Sequence, residues 1–328
     1  MPALGSLMRS LRVSLWVLLG ASGLASCGPA GRSSQDPQSI DPATRSPENA
    51  VALLGDDAVL DSQLRGAWVE AAGGQVLAEW VLDRMVTRRL ATQGLTLTPA
   101  DLQRERDLFQ RSLSPDAREA AELATTLRER RGLGPVRYEM LIRRNAGLRR
   151  LVEPQVAPTQ AQIVQAHELR HGPTFEARLI VTPSLREAEA ARADLRGGAA
   201  FVDAVLRHST DVSRRQGGLL PPVSVADESF PLAVRRALSS LGAGEVSDPV
   251  AIEGGFAILK LERVVPGDGR PLEAVRGELE REVHLQNQRI EMQRLARELL
   301  RAADVVVLDR SLKAGWEAAR ERALDAGP

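Results

Sequence analysis

The spacing of apolar residues changes period several times along the chain, and each change marks an element. Val51-Ala52-Leu53-Leu54, a turn at Gly55-Asp56-Asp57 and Ala58-Val59-Leu60 predict a small hairpin. From Gln75 to Gln93 the period lengthens, and Val76, Leu77, Trp80, Val81 and Met85 share one helical face before Gly94 stops the run. Thr98-Pro99 opens a second helix, with Thr as N-cap and Pro in its first turn, and Ser114-Pro115 a third. Val136 to Leu151 reads as a fourth, and Thr159 starts a fifth that runs to about Arg170.

The pattern then switches to strand. Phe175 to Val181 is extended and ends at Thr182-Pro183, and Ser184 caps a helix to Leu195 that Gly197-Gly198 break. Ala199 to His208 and Phe230 to Leu241 are helical, and Glu245 to Ile252 and Phe256 to Leu261 are strands joined by Glu253-Gly254-Gly255. This β-α-α-α-β-β order predicts a compact α+β domain. A helix from Pro271 to Arg301 follows, with a seam through Leu272, Val275, Leu279, Val283, Ile290, Leu295 and Leu299. It is too long for the small domain, so the sequence predicts that it packs back on the N-terminal helices. Asp304 to Leu308 reads as a late strand that pairs with the hairpin.

The N-terminus has a different logic. Arg9 and Arg12 precede an apolar run, Val13 to Leu19, and small residues lead to Leu24-Ala25-Ser26-Cys27. That is the layout of a secretory signal, too short to span a bilayer. Its last four residues read either as a bacterial lipobox, with Cys27 the lipidated first residue of the mature chain, or as an ordinary signal with a chance cysteine. Residues 27–49 are rich in Ser, Pro, Gly, Asp and Gln, a composition that cannot repay folding entropy and reads as a tether. The folded part is then expected beside a membrane, on the far side of the export machinery.

Composition narrows the function further. Of 328 residues, 43 are Lys or Arg and 43 Asp or Glu, so there is no basic excess for a nucleic-acid backbone. Removing residues 1–26 takes away two arginines and no acid. With Cys27 the only cysteine, an intrachain disulfide and a Cys-rich metal site are excluded. No Gly-rich phosphate cradle with Lys-Ser/Thr occurs, which argues against nucleotide-driven chemistry, and no cofactor is expected.

Five pieces in order carry a resemblance. They are Arg178-Leu179-Ile180-Val181; Gly198-Ala199-Ala200-Phe201; Ser209-Thr210-Asp211 with Gly217-Gly218; Gly244-Glu245-Val246-Ser247-Asp248-Pro249-Val250; and Gly255-Phe256-Ala257-Ile258-Leu259-Lys260-Leu261. Together they resemble the parvulin family of peptidyl-prolyl cis-trans isomerases. The flanking helical segments are similar to those of envelope foldases of the SurA/PrsA type.

The N-terminal layout gives a signal peptide at 1–26 and a tether at 27–49, and the resemblance implies a helical chaperone-like domain at 50–172. It further implies a parvulin-like domain at 173–266, and a C-terminal segment, 267–328, that packs on the N-terminal domain. It also implies rotation about X-Pro bonds, in partners that are unfolded or partly folded exported polypeptides, by an apolar cup for the proline ring beside two histidines.

Here the histidine positions match Arg178 and Ala257, and the neighbouring hydroxyl position matches Ile252. Asp211 alone remains of the polar set. Leu220 matches the cup leucine, the cup phenylalanine falls on Val234 with Phe230 one turn earlier as a substitute, and Phe256 flanks Ala257. An Arg178–Asp211 pair would either replace the imidazole network or merely orient neighbouring elements. With that network gone, isomerisation is expected to be weak while proline-peptide binding persists.

Two readings stay open beside this one. A catalytically inert chaperone or scaffold has the same sequence features. His167-Glu168-Leu169-Arg170-His171 is an H-E-x-x-H string, which in a zinc protease supplies two ligands and a general base, although Gly172-Pro173 end the helix at once. His208 sits beside the Ser209-Thr210-Asp211 loop, either reaching the pocket or solvated at a helix end. His284 is expected to be exposed on the long helix.

Overall fold

In the computed structural model the described residues are 49–55 and 57–325. Cys27, the signal segment and most of the tether lie outside them. Among the described residues no helix is long and apolar enough to cross a membrane. They divide into two compact units, one of residues 156–287 and one of 49–155 with 288–325. The fold is a mixture of helix and sheet.

The helical unit opens with the expected hairpin, Ala50–Leu54 (β1) antiparallel to Asp57–Leu60 (β2). Next come Asp61–Trp68 (α1), a wider π-turn at Val69–Gly73, and Gly74–Thr92 (α2). Pro99–Leu113 (α3) starts as expected: Thr98 Oγ1 accepts from Asp101 N at 3.2 Å, and the Asp101 carboxylate accepts from Thr98 N at 2.9 Å. Ala117–Arg130 (α4) is capped by Asp116, not Ser114, because Asp116 Oδ1 takes both Arg118 N and Glu119 N at 2.9 Å. Pro135–Val152 (α5) completes the series. Leu82, Leu141, Ile142 and Leu148 are fully buried where α2, α3 and α5 meet.

Ion pairs on buried carboxylates stitch the same helices: Arg137 to Glu79 at 2.6 Å, Arg149 to Glu105 at 2.8 Å, and the half-exposed Arg143 to Asp83 at 3.1 Å. Arg144 is wholly buried beside them, and desolvation pulls its pKa below the usual arginine value while Glu79 and Asp83 hold it up.

The second unit begins with Gln160–His171 (α6), capped by Thr159, and Thr174–Thr182 (β3). Leu185–Arg196 (α7), Phe201–His208 (α8), Val223–Ser224 (β4) and Leu232–Ser240 (α9) follow, then Val250–Ile252 (β5) and Gly255–Val265 (β6). The sheet order is β4-β3-β6-β5, antiparallel throughout. The predicted strand from Glu245 shrinks to β5 plus a single Val246–Lys260 bridge, since Pro249 lacks the N–H a ladder needs.

Leu272–Ala302 (α10) gives its first half to this unit, where Val275 and Leu279 pack on Ile163 of α6. Its second half belongs to the helical unit. There Glu298 meets Arg89, and Gln288 bridges Arg149 and Glu153. Arg310–Asp325 (α11), which the sequence did not predict, closes that unit against α2. Gly74 permits the approach: a Cβ there would lie 2.0 Å from the carbonyl carbon of Gly315.

The late strand is corrected. Residues 303–309 form neither helix nor strand, and the hairpin stays two-stranded. The β-branched run Val305-Val306-Val307 favours extended backbone, as predicted, but no strand lies beside it, so Val306 and Leu308 are 79% and 90% exposed.

Candidate functional site

The sheet is buried on both faces, and strand parity sorts the expected site residues between them. Phe175, Ala177 and Leu179 of β3 and Ala257, Leu259 and Leu261 of β6 face α9, where Val234 and Leu238 cover them. Ile180 and Ile258 face the other way, into Ala188 and Ala191 of α7 and Phe201, Ala204 and Val205 of α8.

Five of the expected residues meet on the α9 face. Ala257 is the floor, with no exposed surface, and Val234 is almost fully buried above it. Leu220, Phe230 and Ile252 pack half-buried against the same cluster, an apolar patch that stands where the resemblance expects the proline cup. The strand positions on this face are all apolar.

Backbone hydrogen bonds place Leu220. Its N–H donates to Ala177 O at 2.9 Å, and Leu179 N donates to Gly218 O at 2.8 Å, so residues 218–220 run along the edge of β3 beyond its short pairing with β4. Gly217 and Gly218 make the entry possible with φ of 63° and 74°, and a Cβ on Gly218 would sit 2.4 Å from Leu179 O.

Three expected residues are not in the cup. Phe256 points to the α7/α8 face and packs with that cluster. Arg178 also lies there. Its Nε donates to Glu262 Oε1 at 2.9 Å and its Nη1 to Gly217 O at 2.7 Å, and a Cβ on Gly217 would touch both Arg178 and Val202 of α8. Asp211 does not pair with Arg178: its Oδ1 accepts from Ser213 N at 2.8 Å and caps the short 3-10 turn Val212–Gln216. The structure therefore contains no Arg178–Asp211 substitute for an imidazole network.

The loop before Asp211 is held by a residue the sequence reading quoted but did not single out. Ser209 is buried, and its Oγ accepts from Val181 N at 3.1 Å and Asp211 N at 3.3 Å. Thr210 N donates to Val181 O at 2.8 Å. Ser247 does similar work beyond β6, accepting from Leu259 N at 2.9 Å. Arg235 was also missed. From α9 its guanidinium donates to Phe230 O at 3.0 Å and Val225 O at 2.6 Å. Only tertiary contact reveals such a strut, because an arginine in this chain is one of 41.

The four histidines have other partners or places. His208 Nε2 is 2.8 Å from Asp194 Oδ2, and that hydrogen bond holds the Asp194 carboxyl below its usual pKa. His171 Nδ1 is 2.7 Å from Asp268 Oδ2, and His167 Nε2 is 2.8 Å from Arg270 O. The hydrogen bond from Arg270 N, then that from His171, keep Asp268 below the ordinary aspartate value. The H-E-x-x-H string thus clamps the link between β6 and α10, and among the described residues no group of three or more His, Cys, Asp or Glu side chains can hold a metal. The zinc-protease reading is set aside on that geometry. His284 lines a groove of about 530 Å³ between α6 and α10, with Pro158, Ile163 and Leu285, and this groove shares no residue with the cup.

The second unit is thus a four-stranded antiparallel sheet with two helices on one face and one on the other, and the apolar patch lies beside the third. Residues 166–277 match the family model described as the PPIC-type PPIASE domain, so the chain carries a parvulin-type domain over that span. The foldase protein PrsA of Bacillus subtilis (strain 168) is 28% identical over 183 residues, which are 54% of this chain. The chain spans 58% of the length of that curated relative.

Among solved structures, PrsA from Bacillus anthracis aligns with a TM-score of 0.43 and 18% identity, over 71% of this chain and 100% of that one. PrsA from Bacillus cereus aligns with a TM-score of 0.39 and 18% identity, over 83% and 99%.

Proposed function

We propose that this chain is an extracytoplasmic foldase that binds proline-containing segments of incompletely folded exported polypeptides, held to a membrane through a lipid on Cys27. The observation that carries the reading is the cup of Leu220, Phe230, Val234 and Ile252 over Ala257, on a rotamase sheet face with no titratable strand position.

An X-Pro bond rotates slowly because amide resonance sets a barrier of about 18–20 kcal/mol. Twisting the bond removes that resonance and makes the amide less polar. An apolar cup that seats the proline ring and excludes water therefore binds the twisted form relatively better than water does. What the cup lacks is a polar group to stabilise the twisted nitrogen and carbonyl. Positioned groups of that kind are worth about 10²–10⁴ in rate, so turnover is expected to be slow and binding to persist.

The same apolar face favours a second reading, a chaperone that grips such segments without turning them over. A matched pair of measurements on protein lacking residues 1–27 decides between them. Weak proline isomerisation together with suppression of client aggregation supports the foldase. Aggregation suppression with no isomerisation selects the inert chaperone, and failure of both removes the function. Labelling with a radioactive fatty acid in cells, lost on Cys27→Ser, tests the anchor.

A further inference from the structure

Phe230, which packs on the α9-face cluster, ends the loop that starts at Val225, and the residues that hold this loop lie outside the cup. Arg235 reaches back from α9 and spans two of its carbonyls, Phe230 O through Nε at 3.0 Å and Val225 O through Nη1 at 2.6 Å. These are the two ends of the loop. Gln165 of α6 donates from Nε2 to Ala226 O at 3.2 Å. Within the loop, Phe230 N donates to Asp227 O at 3.2 Å, and Asp227 Oδ1 accepts from Ser229 N at 2.9 Å. Both main-chain polar groups of Phe230 are thereby fixed, and its ring, half-buried on the core of the α9 face, is the cup's only aromatic wall.

The free energy at stake follows from the alternative. A six-residue loop ending in Phe230-Pro231 has many conformations, and most of them take the ring off the core. A guanidinium is suited to the task because its planar fork meets two carbonyls at once, which the single ammonium of a lysine cannot do in the same geometry. Gln165 is the anchor from the opposite side. It lies on the helix whose Ile163 packs on Val275 and Leu279, so the loop is tied to the α6–α10 pair as well as to α9.

We propose that Arg235 and Gln165 are positioning residues for proline-peptide binding: they hold the Val225–Phe230 loop so that the Phe230 ring forms one wall of the cup. The proposal rests on the peptide-binding function proposed above for the same cup. It also assigns part of the cup's shape to a side chain on α6, before the 173–266 segment in which the sequence placed the isomerase domain.

The test uses protein lacking residues 1–27, labelled with 4-fluorophenylalanine, and a blocked tetrapeptide with one central proline as probe. The chain has five phenylalanines, so the ¹⁹F spectrum has few lines, and Phe230→Ala identifies the relevant one. Arg235→Ala is expected to shift or broaden the Phe230 line, to leave the other four in place and to weaken peptide binding about fivefold, the equivalent of one net hydrogen bond. Gln165→Ala should move the same line with a smaller loss of affinity. Arg235→Lys, able to satisfy one carbonyl, should fall between Arg235→Ala and the parent.

Parent-like affinity and an unmoved Phe230 line in both alanine variants overturn the proposal. If Arg235→Ala unfolds, Gln165→Ala alone decides it. Absence of peptide binding by the parent protein overturns the peptide-binding function instead, and is distinguished by a Phe230 line that still responds to Arg235→Ala.

Discussion

Arg178 Nε donates to Glu262 Oε1 at 2.9 Å across the β3–β6 pair, on the sheet face that carries α7 and α8. Arg178 stands directly opposite Lys260 in the ladder, and Lys260 Nζ also reaches Glu262, at 3.0 Å. One carboxylate two residues along the strand thus neutralises two cations that would otherwise repel across the pair. The residue that occupies a histidine position by resemblance is here part of a structural charge cluster behind the cup.

Glu262→Gln is therefore expected to lower stability by about 1 kcal/mol, because the pair is partly solvent-screened, and to leave affinity for a proline peptide unchanged. Urea denaturation and a peptide titration read the two quantities. A several-fold loss of affinity would return Arg178 to the site.

The two phenylalanines near the cup separate in the same way. Phe230→Ala removes the aromatic wall and should weaken peptide binding about tenfold, close to 1.4 kcal/mol. Phe256→Ala, on the other face, should cost about 2–3 kcal/mol of stability with affinity intact, in line with partly buried aromatic truncations. Isothermal titration beside thermal melting tests the contrast, and equal losses of affinity would refute the assignment of faces.

Restoring a histidine at the floor is not expected to restore turnover. Ala257 has no exposed surface, so Ala257→His overpacks the α9 face and should destabilise the domain by about 1–3 kcal/mol. A protease-coupled proline-peptide assay should show no gain in rate, and a clear gain would overturn that expectation.

The helical unit has an acid limit set partly by Glu79. Burial on its own would raise this carboxyl, but hydrogen bonds from Arg137 and Gln75 and the charges of Arg137 and Arg144 outweigh it, and the pKa falls below its ordinary 4.5. A folded value below the unfolded one means that the stabilisation is fully present above about pH 4.5 and is lost as pH falls through the folded value. Glu79→Gln should cost about 3 kcal/mol at neutral pH, by leaving Arg137 without its carboxylate and the buried Arg144 with Asp83 alone, and should flatten the acid limb of the stability curve. Chemical denaturation from pH 3 to pH 7 gives both numbers, and an unchanged acid limb would move the effect to another group.

Capping and turn chemistry made much of the element order legible. Thr98, Thr159 and Ser184 cap the helices they were expected to cap, and Gly94 and Gly217-Gly218 interrupt the chain where the structure turns. These signals are local, so a single sequence carries them. The expectation of a cup without a histidine pair rested on the resemblance, which sets Arg178 and Ala257 at those two places.

What it left open is which face each residue serves. Leu179 to Val181 and Phe256 to Leu259 are unbroken apolar runs because helices cover both sides of the sheet, and a run buried on both faces shows no alternation that distinguishes them, whereas Phe175-Glu176-Ala177-Arg178-Leu179 alternates and already sets Arg178 opposite Ala177 and Leu179. The register shift between Glu176 and Ala177 adds a further change of parity that no periodicity records. Tertiary structure alone decided that Phe256 turns toward α7 and α8 while Ala257 lies under Val234 on the α9 face. The reason is physical: side-chain direction in a strand follows from pairing register, and register is settled by partners distant in the chain.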